Sequence, residues 1–425
     1  MIADLSVGLQ EYTRFLWRNA RWLAAGLLLT FSSGVGQTYF IALFAGQIRA
    51  EFALSHGEFG VLYMLATLAS ATTLVWLGKV MDIWSPRPVA IGSILCLASA
   101  AVLMATSGGV VTLVIALYGL RLFGQGMMSH VAMTAIGRWF VAERGRAVSL
   151  TASGYQLGEG VLPIVIVSLL ALHDWRILWA GAAVVLVLFI LPSASKLLAV
   201  PRTPSARDIE TPHRARHWTR AEVIRDPLFW LVVAGVLAPA FIGTSVFFHQ
   251  VHLAETKGWP TTLVASAFSL MAVCTVVVGL ISGRVIDAVG SVRLLPFFLL
   301  PLAVACGLLA FVDAPAGAWW FMAMLGISYG ISSSVFGALW PELYGTEHLG
   351  AVRSLVFAGM VMSSALGPGL TGSLIDVGIH FEHQLAGMSA YCLLASIVMA
   401  SAARQLRTRA AARDNQPGQS RPAVS

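Results

Sequence analysis

Charge is scarce in this 425-residue chain: Asp, Glu, Lys and Arg together make up 11% of it. A soluble domain carries roughly twice that fraction. Residues 264–282 hold no charge at all. Cysteine is also scarce, and Cys96, Cys274, Cys306 and Cys392 all fall inside apolar runs, so packing is expected of them and not a disulfide framework. There is no Walker-A loop and no HExxH zinc motif. The usual sequence grounds for an enzyme are therefore missing, and no cofactor is implied. The longest polar stretch, Ala199 to Asp226, is too short for the soluble domain a membrane sensor would carry. Residues 1–21 mix charges with aromatics and lack the short apolar core of a cleaved leader.

What fills the chain is apolar surface. It is 57% hydrophobic with a mean hydropathy of +0.79. Stretches long enough to cross a bilayer core of about 30 Å recur along its length. The net charge of +7 then reports which loops face the cytoplasm and is no sign of nucleic acid as a partner. The partner is the lipid bilayer.

One motif occurs twice. Gly78-Lys-Val-Met-Asp82, followed by Arg87, is echoed by Gly283-Arg-Val-Ile-Asp287, followed by Arg293, 205 residues later. A displacement of half the chain implies two copies of one unit, as in secondary transporters. Gly78 and Gly283 lack a Cβ, which lets a neighbouring helix approach. Asp82 and Asp287 are placed to face a helix N-terminus or an arginine.

Hydropathy predicts twelve spans: 22–46, 57–80, 88–107, 110–137, 146–171 and 176–197, then 228–251, 260–283, 293–313, 317–341, 351–375 and 383–403. The expected organisation is a cytoplasmic segment 1–21, a six-helix half 22–197, a linker 198–227, a second half 228–403 and a basic tail 404–425. With both termini cytoplasmic, 23 of the 27 Lys and Arg lie inside; Arg49, Arg176 and Lys257 lie outside, and Arg121 within a span.

On this topology and the paired Gly-x-x-x-Asp loop, residues 20–404 resemble the major facilitator superfamily. The resemblance implies an all-α membrane fold of twelve helices in two pseudo-symmetric six-helix halves, alternating access, and one pore per chain, hence a functional monomer. The loop departs from the family form at Ile83, Ala288 and Ser85-Pro86-Arg87. Arg121-Leu-Phe-Gly-Gln-Gly126 is similar to the arginine motif of the fourth helix there. The texture most resembles bacterial permeases of the monocarboxylate and oxalate–formate type.

Two buried charges carry the functional reading, because charge at bilayer depth is costly and rarely idle. In it, Arg121 holds the carboxylate of a small anionic substrate and Glu159 takes the co-transported proton. The competing reading makes them a structural ion pair joining the fourth and fifth helices. Gln37, Tyr39, Gln125, Tyr329 and Ser332 are expected to line the substrate path, with His249 and Gln250 at its outer rim. His130 is a candidate proton step. His249, His252 and Glu255 share a helical spacing, but three ligands at a membrane edge make a poor metal site, and none is expected. The expected function is proton-coupled symport of a monocarboxylate-like anion across the cytoplasmic membrane. The alternative is a proton-driven exporter of hydrophobic or amphipathic compounds.

Overall fold

The computed structural model of the chain describes residues 2–140, 143–200, 202, 218–345 and 349–414. Every regular element among them is helical. The long helices are α1 (Thr13–Gly36 and, after a 43° bend, Thr38–Phe52), α2 (His56–Leu77), α3 (Pro86–Ala105), α4 (Val110–Trp139), α5 (Arg146–Leu170), α6 (Trp175–Leu197), α7 (Pro227–Phe248), α8 (Thr261–Ile286), α9 (Leu300–Phe311), α10 (Ala316–Tyr344), α11 (Leu355–Asp376) and α12 (Phe381–Arg409). Ten are long and apolar enough to cross a bilayer, or eleven with the bent α1 taken as one span. Large apolar side chains such as Phe189, Leu280, Leu394 and Ile397 lie more than half exposed, which suits a surface wrapped in lipid and no surface meant for water.

The ninth expected span departs most from its sequence reading. Pro296 and Pro301 flank its start, residues 294–299 form turns, and only Leu300–Phe311 is α-helical. Proline supplies no N–H for the first helical turn to use. At 1.5 Å per residue, α9 is about 18 Å long, short of the bilayer core.

By contact the chain gathers into two units. One comprises Met1–Pro212, Thr244–Val273 and Ser364–Ile379; the other comprises His213–Gly243, Cys274–Ser363 and His380–Ser425. In the first, α1 lies along α5 and α3 packs on α6; in the second, α9 packs on α12. The third helix after each chain-half start thus pairs with the sixth in both copies, an echo of the repeated motif. Residues 203–217 of the expected linker and 415–425 of the expected tail lie outside the described residues, as do the side chains of Asp82 and Asp287.

The two motif copies are gripped by corresponding helices but by different chemistry. Gly78 ends α2; its carbonyl meets His130 Nε2 of α4 at 3.0 Å, and Arg138 of α4 donates to the Met81 carbonyl. A Cβ at Gly78 would sit 3.2 Å from that imidazole, so the close approach expected of this glycine is present. Gly283 has nothing within 4 Å of a Cβ, and the expected close approach is absent there. The second loop turns instead at Gly290 (φ 84°), where Glu342 of α10 accepts from the backbone N–H of Ser291 at 2.9 Å and from its hydroxyl. Arg87 donates to Ser195 Oγ at 3.1 and 3.2 Å, while Arg293 is exposed.

Candidate functional site

The site grows from a defect in α1. At Gln37 the backbone turns extended (φ −82°, ψ 154°), and Phe40 N–H bonds to the Gln37 carbonyl at 3.2 Å, so the Gly36 carbonyl loses the helical partner it would otherwise have. Such an orphan acceptor, buried, needs a donor from elsewhere. Arg121 supplies it, with Nη1 at 3.0 Å.

Arg121 can reach because α4 is itself irregular. Residues Leu120–Met128 form a π-helical stretch, a distortion often found at functional sites. The break in α1 docks onto it at two glycines: a Cβ on Gly36 would come within 2.1 Å of the Leu120 carbonyl, and one on Gly124 within 2.6 Å of the Gly36 Cα. Only residues without side chains fit here.

The guanidinium is 1% exposed. Its Nε donates to Thr67 Oγ1 at 3.2 Å, and Nη1 also reaches Thr38 Oγ1 at 3.4 Å. The ring of Tyr63 lies beneath it, 5.2 Å from centroid to cation, with the Tyr63 hydroxyl 2.7 Å from Thr38 Oγ1. Every partner is neutral, Nη2 has none, and no ion pair joins Arg121 to Glu159 or to any other carboxylate among the described residues. The reading of Arg121 and Glu159 as a structural ion pair is therefore set aside by geometry.

Glu159 is partly exposed and makes no hydrogen bond or ion pair among the described residues. Its neighbours are pinned: the Tyr39 hydroxyl sits where a Cβ on Gly34 or Gly158 would be, at 2.5 and 2.8 Å, and Gly160 packs on Ala272 and accepts from Ser269 Oγ at 2.6 Å. Tyr39 is buried, and its hydroxyl has no hydrogen-bond partner. Its carbonyl accepts from Gln250 Nε2 at 3.0 Å.

The structure thus gathers Arg121, Gln37, Tyr39 and Gln125 around the α1 break, with Glu159 beside Tyr39 and Gln250 beyond it. His249 is 2% exposed and stacks edge-on with Phe248. His130 Nε2 lies against the Gly78 carbonyl, away from the α1 break. Tyr329 and Ser332 belong to the second unit, where the Tyr329 hydroxyl meets the Pro239 carbonyl at 3.4 Å and the buried Ser332 hydroxyl has no partner. No metal-binding cluster exists among the described residues. Sequence reading missed Gly36, Thr38, Tyr63 and Thr67; a threonine or tyrosine in an apolar span carries no signal until its neighbour is known.

Residues 26–368 and 250–423 match the Major Facilitator Superfamily. The chain belongs to this superfamily. It is 24% identical over 372 residues to the oxalate:formate antiporter of Oxalobacter formigenes, covering 83% of this chain and 85% of that one. It is 31% identical over 137 residues to a probable sulfoacetate transporter of Cupriavidus necator, 32% of each chain. In fold it is similar to a bacterial homologue of the human lysosomal transporter Spinster in an inward-facing, unoccupied conformation, with a TM-score of 0.70 at 15% identity over 92% of this chain and 98% of that one. A superfamily member of this build is a multi-pass membrane transporter.

Proposed function

We propose that this superfamily member is a secondary active transporter of small organic anions in the cytoplasmic membrane, with both termini cytoplasmic, working by alternating access between twelve-helix states. One observation carries the substrate class: a fully buried guanidinium with only neutral partners and one Nη without any. Burying an unneutralised cation is costly, and a bound carboxylate relieves that cost through the planar fork. Oxalate, formate and sulfoacetate, in the names of the two relatives, are anions of the required kind.

In this scheme the carboxylate takes Nη2 of Arg121, while Nη1 stays with the Gly36 carbonyl and Thr38 and Nε with Thr67. Glu159, which no cation balances, carries the proton that accompanies the anion. The relative named as an antiporter supplies the competing cycle, exchange of one anion for another.

Purified protein in proteoliposomes separates these. Uptake of labelled oxalate or formate is expected in the wild type and lost in Arg121→Gln. In Glu159→Gln, anion-for-anion counterflow is expected to persist while uptake driven by an imposed proton gradient disappears. Gradient-driven uptake unchanged in Glu159→Gln would remove the proton role and leave exchange. Transport confined to lipophilic or neutral compounds, indifferent to Arg121, would replace the anion reading with the exporter.

A further inference from the structure

A hollow of about 230 Å³ lies in the same unit, and neither Arg121 nor any of its partners lines it. An engineered cavity of about 150 Å³ admits benzene, so this one has room for a benzene-sized ring with a short substituent. The apolar side chains of Leu43 in α1, Val167 in α5 and Val264 in α8 are buried against it, and Gln47, Thr261 and Thr262 form an exposed rim. The hollow therefore has an apolar floor and a polar mouth.

Its lining is neutral throughout: no ionisable side chain among the described residues contributes to it. The rim side chains of Gln47, Thr261 and Thr262 make no hydrogen bond among the described residues. Gln250, 3% exposed, belongs to the lining as well; its Nε2 donates to the Tyr39 carbonyl at 3.0 Å, and its Oε1 has no hydrogen-bond partner among the described residues. An anion finds no cation here, and a wholly apolar molecule leaves the rim unused. An uncharged molecule with an apolar body and a hydroxyl head matches both surfaces. The two walls also come from different halves of the chain. Residues 43–47 and 167–171 supply one, and residues 250–264 the other. The Gln250–Tyr39 bond ties these halves together, as does Ser269 Oγ donating to the Gly160 carbonyl at 2.6 Å. A ligand in contact with both walls adds to those ties.

We propose that this hollow is a regulatory binding site for an uncharged aromatic alcohol, whose ring lies against Leu43, Val167 and Val264 and whose hydroxyl is held at the rim of Gln47, Thr261 and Thr262. The site and its ligand class stand apart from the carrier reading above; the regulatory consequence rests on it. Under that reading the two chain halves rock against each other in every cycle. A molecule that joins their walls holds the present arrangement and slows transport without touching Arg121.

Full-length protein in lipid nanodiscs is titrated with 4-fluorobenzyl alcohol and followed by fluorine NMR, with empty nanodiscs as the reference for partition into lipid. Saturable binding beyond that reference is expected in the wild type. Val167→Phe fills the hollow and is expected to weaken binding at least tenfold. Should that variant fail to fold, Thr262→Trp, at the exposed rim, is expected to weaken it at least threefold. Benzoate, similar in size but charged, is expected to leave the alcohol bound. Three results overturn the site: no saturable binding beyond empty nanodiscs, as when lipid already fills the hollow; undiminished affinity in both variants; or displacement by benzoate. In proteoliposomes, uptake of labelled formate is expected to fall at least threefold as the alcohol saturates the wild type, with the half-point of the binding curve, and to stay unchanged in the variant that no longer binds it. Binding that leaves wild-type uptake undiminished overturns the regulatory role. Saturable binding to a protein that carries no anion upholds the site while sinking the carrier reading and, with it, the regulatory role.

Discussion

Arg121 satisfies the orphan Gly36 carbonyl, and under the proposed function its Nη2 also takes the ligand, so its loss is expected to be felt in both stability and binding. Arg121→Lys separates the tasks: the charge stays but the fork does not. Its KM for a carboxylate is expected to rise roughly tenfold to a hundredfold, the equivalent of one charge-assisted hydrogen bond at about 1.5–3 kcal/mol. An unchanged KM in proteoliposome uptake would mean that charge alone holds the anion. Asp226, outside the spans, offers a pH test. Burial pushes its carboxyl up, but two bonds from Arg409 at 2.7 and 3.1 Å, with the Leu228 N–H and the Tyr344 hydroxyl, more than offset this and hold it below the usual carboxylate range. A carboxyl depressed in the folded state stabilises above its unfolded pKa of about 3.9 and loses that contribution as pH falls through the folded value. The melting temperature of Asp226→Asn is therefore expected below that of the wild type at neutral pH, with the gap closing below about pH 4. A gap that widens on acidification would reverse the sign of the argument.

At the scale of elements, the crossing of α1 and α4 depends on glycine and the two loop copies do not depend on it equally. Gly36→Ala and Gly124→Ala each put a methyl into backbone that cannot yield, and each is expected to destabilise by about 1–3 kcal/mol. Gly78→Ala, pressing on His130, is expected to lower the melting temperature, whereas Gly283→Ala, opening onto empty space, is expected to stay within about 0.5 kcal/mol. Equal effects at Gly78 and Gly283 would show that the repeat, and not the local packing, governs both positions. The repeat itself was readable because glycine and aspartate recur in order. Its asymmetry was not, because His130 and Glu342 are far from the loops in sequence and come to them only through α4 and α10.

For the whole molecule, the charge distribution makes an orientation testable. A phosphatase that works only outside the cytoplasmic membrane, fused after Asp414, is expected to be inactive; fused after Lys257 it is expected to be active. The reverse pattern would overturn the proposed topology. The membrane class, the helical composition and the superfamily were legible before any coordinates, and so were Arg121 and Glu159 as the charges to watch. The count of spans was less so: a hydropathy window sees the apolar run 293–313 but not that prolines delay its helix to Leu300.

The sequence by itself determined that this chain lives in a bilayer and repeats itself, because hydropathy and spacing are local properties that survive whatever the side chains touch. Tertiary structure alone decided that Arg121 has no carboxylate partner among the described residues and that its donors reach a carbonyl 85 residues away. Those facts depend on where a helix breaks and which backbones can touch, and packing settles both across distances the sequence order does not record.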